Sequence, residues 1–368
     1  MFSNQRVIAT LAGCVPDKVP VICTTQIGIK DCMAAVNVHF PDAHKDADKM
    51  ATLGSTLHGL AGLENARIPF CVTVLAEVFG CEINFGTDEI SPSIKKHLLS
   101  VDKLEIPDNF LNRGRIPIVR NAAEILRSTI GDKTPMIVGV EGPFTLAGHL
   151  IGVEKLMGWC IINPKKIEEI LEVTTEAIIK YANHILKAGS DIMCISDPLA
   201  SLDLISPTHF RDFVKPCLKE IAENVGGINI IHICGDVTNI LADMAECGFD
   251  GLSIEEGVDI EKARSIVGEN VVLIGNISTK QTLAFGKPEQ VKNDAINALK
   301  AGVDVLAPGC GLSPLTPLNN IVAMVQTAEE WNQPRRKMAS NTEILTPETA
   351  KELGYELGEA LVKLVQDK

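Results

Sequence analysis

The sequence predicts an α/β fold, a (β/α)8 TIM barrel with an N-terminal extension and insertion and a C-terminal helix, and three observations carry that prediction. Eight short apolar runs rich in Val and Ile recur along the chain. Amphipathic stretches of helical period separate them. Their spacing tightens to about 20 to 30 residues in the second half, which suits a ring of βα units better than an open sheet.

The elements follow in order. A short extension leads to the first run, VPVICTT (19 to 25), and the second is PFCVTV (69 to 74). Residues 80 to 118 are polar and turn-rich, an insertion near the barrel mouth or a small edge hairpin. The third run is PMIVGVE (135 to 141); the stretch KKIEEILEVTTEAIIKYANHILKAG then repeats apolar residues every three or four positions and ends on Gly189, a helix C-cap. Five runs complete the ring: SDIMCISD (190 to 197), INIIHIC (228 to 234), FDGLSIE (249 to 255), NVVLIGN (270 to 276) and VDVLAPG (303 to 309). After Trp331 the sequence turns polar, and Thr346, Pro347 and Glu348 mark the start of a last helix. Its stripe of Leu353, Leu357, Leu361 and Leu364 packs on the barrel or mediates a homo-oligomer. Residues 1–331 thus form one barrel domain, and 332–368 a linker and helix.

Composition narrows the function. Of 368 residues, 46% are hydrophobic and 22% charged, as in an ordinary globular enzyme. The net charge of -13 repels a phosphate backbone, so nucleic acid is not an expected partner. Eleven dispersed cysteines point to a reducing compartment, where a thiol is either a small buried hydrophobe or a metal-binding or reactive group. The N-terminus lacks the apolar stretch of a signal peptide and no window is long enough to span a membrane, so the cytoplasm is the expected location.

In such a barrel the chemistry sits at the C-terminal ends of the strands. The runs deliver Gln26, Glu141, Asp197, His232 with Cys234, Glu255, Asn276 and Cys310 there, and the second run is followed by Glu77. His232 and Cys234 are two apart on an extended strand, so they share a face and can grip one ion. Cys310, between Gly309 and Gly311, supplies a third donor from the last strand, and Glu255 a fourth from the strand beside His232. Two sulfurs and an imidazole favour zinc, and an exchangeable fourth position marks a catalytic site. Two thiolates, a neutral imidazole and a carboxylate leave zinc a poor activator of water but a good holder of an incoming thiol, which takes the place of Glu255. Alkylation of a substrate thiol is the chemistry this favours.

The stretches HICGD, MAECGFDGLSIEE, LIGNIS and VDVLAPGCGLSPLTPLNN resemble the uroporphyrinogen decarboxylase superfamily and, within it, the zinc-dependent methylcobamide:coenzyme M methyltransferases, most closely the methanol-pathway type. The resemblance covers about residues 1 to 331. It implies zinc on His232, Cys234 and Cys310 with Glu255 the displaced fourth ligand, although Glu256 stands beside it. It further implies a methylated corrinoid on a partner protein as donor and coenzyme M as acceptor. Asp197 and Asn276 would orient substrate or ligands, and Gln26 and Glu77 would line the pocket. The decarboxylase branch holds its polyanionic tetrapyrrole through arginines in a stretch that reads CTTQIGIKD here, with both arginines absent. A methylamine-pathway isoenzyme, a homocysteine-like acceptor and a corrinoid-docking subunit without catalysis remain the alternatives.

Overall fold

The structure, a computed structural model, describes residues 1–331. The linker and last helix expected over 332–368, with their leucine stripe, lie outside the described residues.

Among the described residues nine strands are formed: β1 Ala66–Ile68, β2 Glu82–Asn84, β3 Ser93–Lys96, β4 Met136–Glu141, β5 Ile192–Ser196, β6 Ile228–His232, β7 Gly251–Ser253, β8 Leu273–Ile277 and β9 Val305–Pro308. Seven of them make one curled parallel sheet in the order β1-β4-β5-β6-β7-β8-β9, while β2 and β3 pair as an antiparallel hairpin. The hairpin is the edge element expected within the 80–118 insertion. Every residue of β4, β5 and β6 is buried, as a sheet covered on both faces requires, which explains why these runs are continuously apolar.

Two apolar layers flank the sheet. The inner layer includes Ile137, Ile192, Ile230 and Ile274, and Val7 and Leu11 of the helix Ser3–Leu11 pack into it. The expected N-terminal extension is therefore a short amphipathic helix that covers part of the inner face of the curled sheet. The outer layer joins the sheet to helices such as Pro164–Lys187, which starts on a proline and carries His184 and Lys187 in its last turn. Gly189, one residue past the Ala188 cap, takes φ +110, a conformation that favours glycine.

Two expected strands differ. The run 69–74 is not a strand: β1 ends at Ile68, Pro69 has no N–H for a ladder, and a helix Val74–Phe79 follows. The run 19–25 is not a continuous strand: it pairs through a single bridge, Val21 with Leu306 of β9, and bends at Thr24 and Thr25. On its other side no ladder joins it to β1 among the described residues. There the side chain of Asn65 stands in for a backbone: its Oδ1 accepts from the Cys23 N–H at 2.9 Å and its Nδ2 donates to the Cys23 carbonyl at 3.0 Å. The fully buried Arg67 adds a third tie, its Nε donating to the Thr24 carbonyl at 2.8 Å. A seam of side chains, with one backbone bond from the Glu64 N–H to the Val21 carbonyl at 2.8 Å, thus occupies the place where a backbone ladder would close the ring.

Candidate metal centre at the strand ends

His232 is the last residue of β6, and its Cα pairs in register with Ser253 of β7. Cys234 follows two positions on, and Cys310 stands just past β9, so residues 76 apart in sequence meet at one rim. The Cys234 Sγ lies 3.3 Å from His232 Nε2 and 3.5 Å from Cys310 Sγ. One donor atom from each of the three sits within 4.8 Å of the others. His232 is buried and both thiols are half-buried, so the group keeps some contact with solvent.

Electrostatics in the trio follow from this crowding. The Cys234 thiol bonded to it, with His232 close by, pulls Cys310 down to about 4 against the effect of burial. Its thiolate then pushes Cys234 far above the usual thiol range. Burial opposes a charge on His232, yet the Cys310 thiolate holds that imidazole above its ordinary value. Two thiols here share one proton, and a divalent cation can replace that proton and relieve both. Two sulfurs and one nitrogen at this spacing fit zinc.

The other expected residues have different occupations, and none of them joins the three donor atoms that lie within 4.8 Å of one another. Glu255, half-buried just past β7, accepts a hydrogen bond from the backbone N–H of Gly235, next to Cys234. Burial raises its pKa, and the Cys310 thiolate adds to that. Glu256 turns elsewhere, accepting from the Ser278 hydroxyl at 2.7 Å. Gly309 has a steric reason: a Cβ there would stand 2.9 Å from Glu256 Oε2 and 3.0 Å from the Glu256 backbone N. Asn276 donates from Nδ2 to the carbonyls of Glu255 at 3.1 Å and Val258 at 2.8 Å, so it holds the loop that carries Glu255. Gln26 donates to the Leu312 carbonyl at 3.0 Å and braces the loop that carries Cys310.

Two residues are engaged away from the trio. Asp197 is fully buried; its Oδ1 accepts from the Thr145 N–H at 2.7 Å and the Thr145 hydroxyl at 2.6 Å, and its Oδ2 from the Phe144 N–H at 3.3 Å. It caps the helix Pro143–Ile151 through these bonds. Glu77 pairs with the buried Arg115 at 2.6 Å, and this pair anchors the start of the insertion's following helix. Glu141 is likewise buried, accepting from the N–H groups of Leu75 at 2.9 Å and Ala76 at 3.2 Å, and burial pushes its pKa up to about 7.

Sequence reading missed Cys71, which sits 3.2 Å from Arg115 Nη1 and accepts from the Thr73 hydroxyl at 3.4 Å. Burial works against its ionisation, yet Arg115 and then His44 hold it down at about 5. No local signal marks it, because Arg115 lies 44 positions away.

Known proteins share this architecture. The chain matches the uroporphyrinogen decarboxylase (URO-D) family over residues 2–331. It is 44% identical over 331 residues to the methylcobamide:CoM methyltransferase MtaA of Methanosarcina barkeri, a match spanning 89% of this chain and 98% of that relative. Methylcobamide:CoM methyltransferase MtbA of Methanosarcina acetivorans is 34% identical over 333 residues, spanning 89% and 98%. A solved structure, a methyltransferase from Methanosarcina mazei, superposes with a TM-score of 0.88 at 43% identity, covering 90% of this chain and 99% of its own. Among the described residues no single helix is long and apolar enough to cross a membrane.

Proposed function

The chain belongs to the uroporphyrinogen decarboxylase family, and from that premise we propose that it transfers a methyl group from a methylated corrinoid, carried on a partner protein, to the thiol of coenzyme M. The observation that carries this reading is the His232, Cys234 and Cys310 trio at the rim of the sheet. In it residues 1–331 act as one TIM-barrel domain, with the run 19–25 in the eighth strand position.

In this reading His232, Cys234 and Cys310 would hold zinc, with Glu255 as the fourth donor whose place a substrate thiol would take. Zinc bound there supplies the positive charge that lets a small thiol lose its proton at neutral pH. Glu255, rather than Glu256, suits the fourth role because it is bonded next to Cys234 while Glu256 is bonded to Ser278. Asn276 and Gln26 fix the two loops that bring Glu255 and Cys310 to the rim.

The methyl transfer balances without a protein nucleophile. The substrate sulfur attacks the methyl carbon in line, an S–C bond forms, the Co–C bond breaks, and the electron pair stays on cobalt as Co(III) becomes Co(I). The chain contributes orientation and thiol ionisation. The donor is the corrinoid protein of the methanol pathway, and assays with methylamine-pathway corrinoid protein and with homocysteine test the alternative donor and acceptor. The eleven free thiols suit work in the reducing cytoplasm.

The test is methyl transfer from free methylcobalamin to coenzyme M by zinc-loaded protein, followed by the loss of methylcobalamin absorbance. Metal-replete protein that leaves methylcobalamin unchanged refutes the assignment. Cys310→Ala is expected to lose both bound zinc and transfer; full activity in that variant would sink the metal reading.

A further inference from the structure

Behind the trio, a line of buried hydroxyls crosses the interior of the barrel. With Nε2 of His232 facing Cys234, its Nδ1 points the other way and lies 3.1 Å from the Ser253 hydroxyl. That hydroxyl in turn lies 3.1 Å from the Thr24 hydroxyl. Ser253 is the register partner of His232 on the adjacent strand, so the two side chains share the inner face. Thr24 belongs to the run 19–25, which is separated from β7 by β8 and β9, so its bond to Ser253 spans the barrel rather than a neighbouring strand. Ser253 and Thr24 are both essentially without solvent contact.

Chemistry gives this line a direction. A neutral imidazole can offer a lone pair from Nε2 only if Nδ1 carries the proton. Nδ1–H then donates toward Ser253, whose hydroxyl and backbone carbonyl both face it, and the Ser253 hydrogen is free to donate to Thr24 Oγ1. Each group keeps the next in the role that leaves Nε2 unprotonated toward the two thiols. Were Ser253 to lose its hydroxyl, the imidazole would keep only the Ser253 backbone carbonyl as an acceptor on that side and would be freer to rotate or change tautomer.

We propose that Ser253, held by Thr24 across the barrel, is a positioning residue that fixes the tautomer and ring orientation of His232 for metal binding. The proposal rests on the zinc reading of the trio and deepens it: it assigns to Ser253 and Thr24 part of the affinity of the site, although neither touches the metal or the substrate. It also makes the run 19–25 part of the metal site, since Thr24 is held in place by Arg67 at its own carbonyl.

The test compares zinc affinity, by competition with a chromophoric chelator, in wild type, S253A, S253T and T24V, with the d–d spectrum of the cobalt(II)-substituted proteins as a second readout. Circular dichroism and melting of the metal-free proteins show whether each variant folds. S253A is expected to bind zinc about ten- to a hundredfold more weakly, with a shifted cobalt spectrum. S253T restores the hydroxyl and is expected to recover most of that affinity, whereas T24V, isosteric but without a hydroxyl, loses less than S253A. Wild-type affinity and an unchanged cobalt spectrum in S253A overturn the proposal. Should S253A fail to fold, T24V decides alone, and unchanged affinity there overturns it as well. A wild-type protein that takes up no zinc is a different result, and it refutes the proposed function itself.

Discussion

Asp197 lets a structural role be measured against the functional one expected of it. Replacing it by alanine leaves two backbone N–H groups and the Thr145 hydroxyl without their buried acceptor. Each such loss costs about 1–3 kcal/mol, with the 3.3 Å bond from Phe144 at the low end, so D197A is expected to lose about 3–6 kcal/mol. That is much of the roughly 5–15 kcal/mol that stabilises a typical fold. D197N keeps the size and one acceptor and isolates the charge. Burial pushes the Asp197 carboxyl up to about 6 against the bonds from Thr145 and Phe144. A carboxyl raised on folding contributes stability that is fully present below its unfolded value and is lost as pH rises through the folded one. The loss over the two-unit window is about 3 kcal/mol at ~1.36 kcal/mol per unit. The asparagine variant has no such dependence, so the advantage of wild type over D197N is expected to narrow by that amount from about pH 4 to about pH 7. Urea unfolding followed by circular dichroism across that range measures it. An advantage that widens with pH would show that the helix N-terminus outweighs burial, and a D197A cost below about 1 kcal/mol would remove the cap altogether.

Three further outcomes follow from the same reasoning. Cys71 is expected to be a thiolate at neutral pH, so the difference absorbance at 240 nm between wild type and C71S, about where thiolates absorb, should titrate near pH 5; a midpoint near the ordinary thiol value refutes the Arg115 pairing. Asn65→Ala leaves the Cys23 N–H and carbonyl without partners and is expected to cost about 2–4 kcal/mol in urea unfolding and to speed exchange of the Cys23 amide, whereas unchanged exchange would mean the seam is held elsewhere. Arg115→Met strands Glu77 and Cys71 beside a buried apolar chain and is expected to cost about 3 kcal/mol, read as a lower midpoint of unfolding; a cost near zero refutes the pairing.

Much of the scaffold was legible because it obeys local rules. The runs that became β4, β5 and β6 are buried on both faces, and that demand writes itself into unbroken Val and Ile. His232 and Cys234 were readable as a pair because an extended chain places positions two apart on one face, although β6 itself ends at His232, and Cys310 because it stands two residues past a strand. What failed to show depends on distant partners. The run 69–74 looks like a strand in composition, and only the position of Pro69 and the helix that begins at Val74 rule it out. Asp197 ends a strand as catalytic groups do, yet its carboxylate meets a helix that begins more than fifty positions earlier. Ser253 alternates inward on its strand, a weak signal, but nothing local reveals that Thr24 reaches it from 229 positions away.

The distance in sequence between Cys234 and Cys310 bears on how the protein is made. During synthesis the chain delivers His232 and Cys234 long before Cys310 emerges, and two donors hold an ion far less well than three. Tight loading must therefore wait until β7, β8 and β9 have been added in order. With zinc held as proposed, metal uptake would act as a late checkpoint on assembly: retained zinc would report that the last strand has docked, and misfolded or prematurely ended chains would be left unloaded.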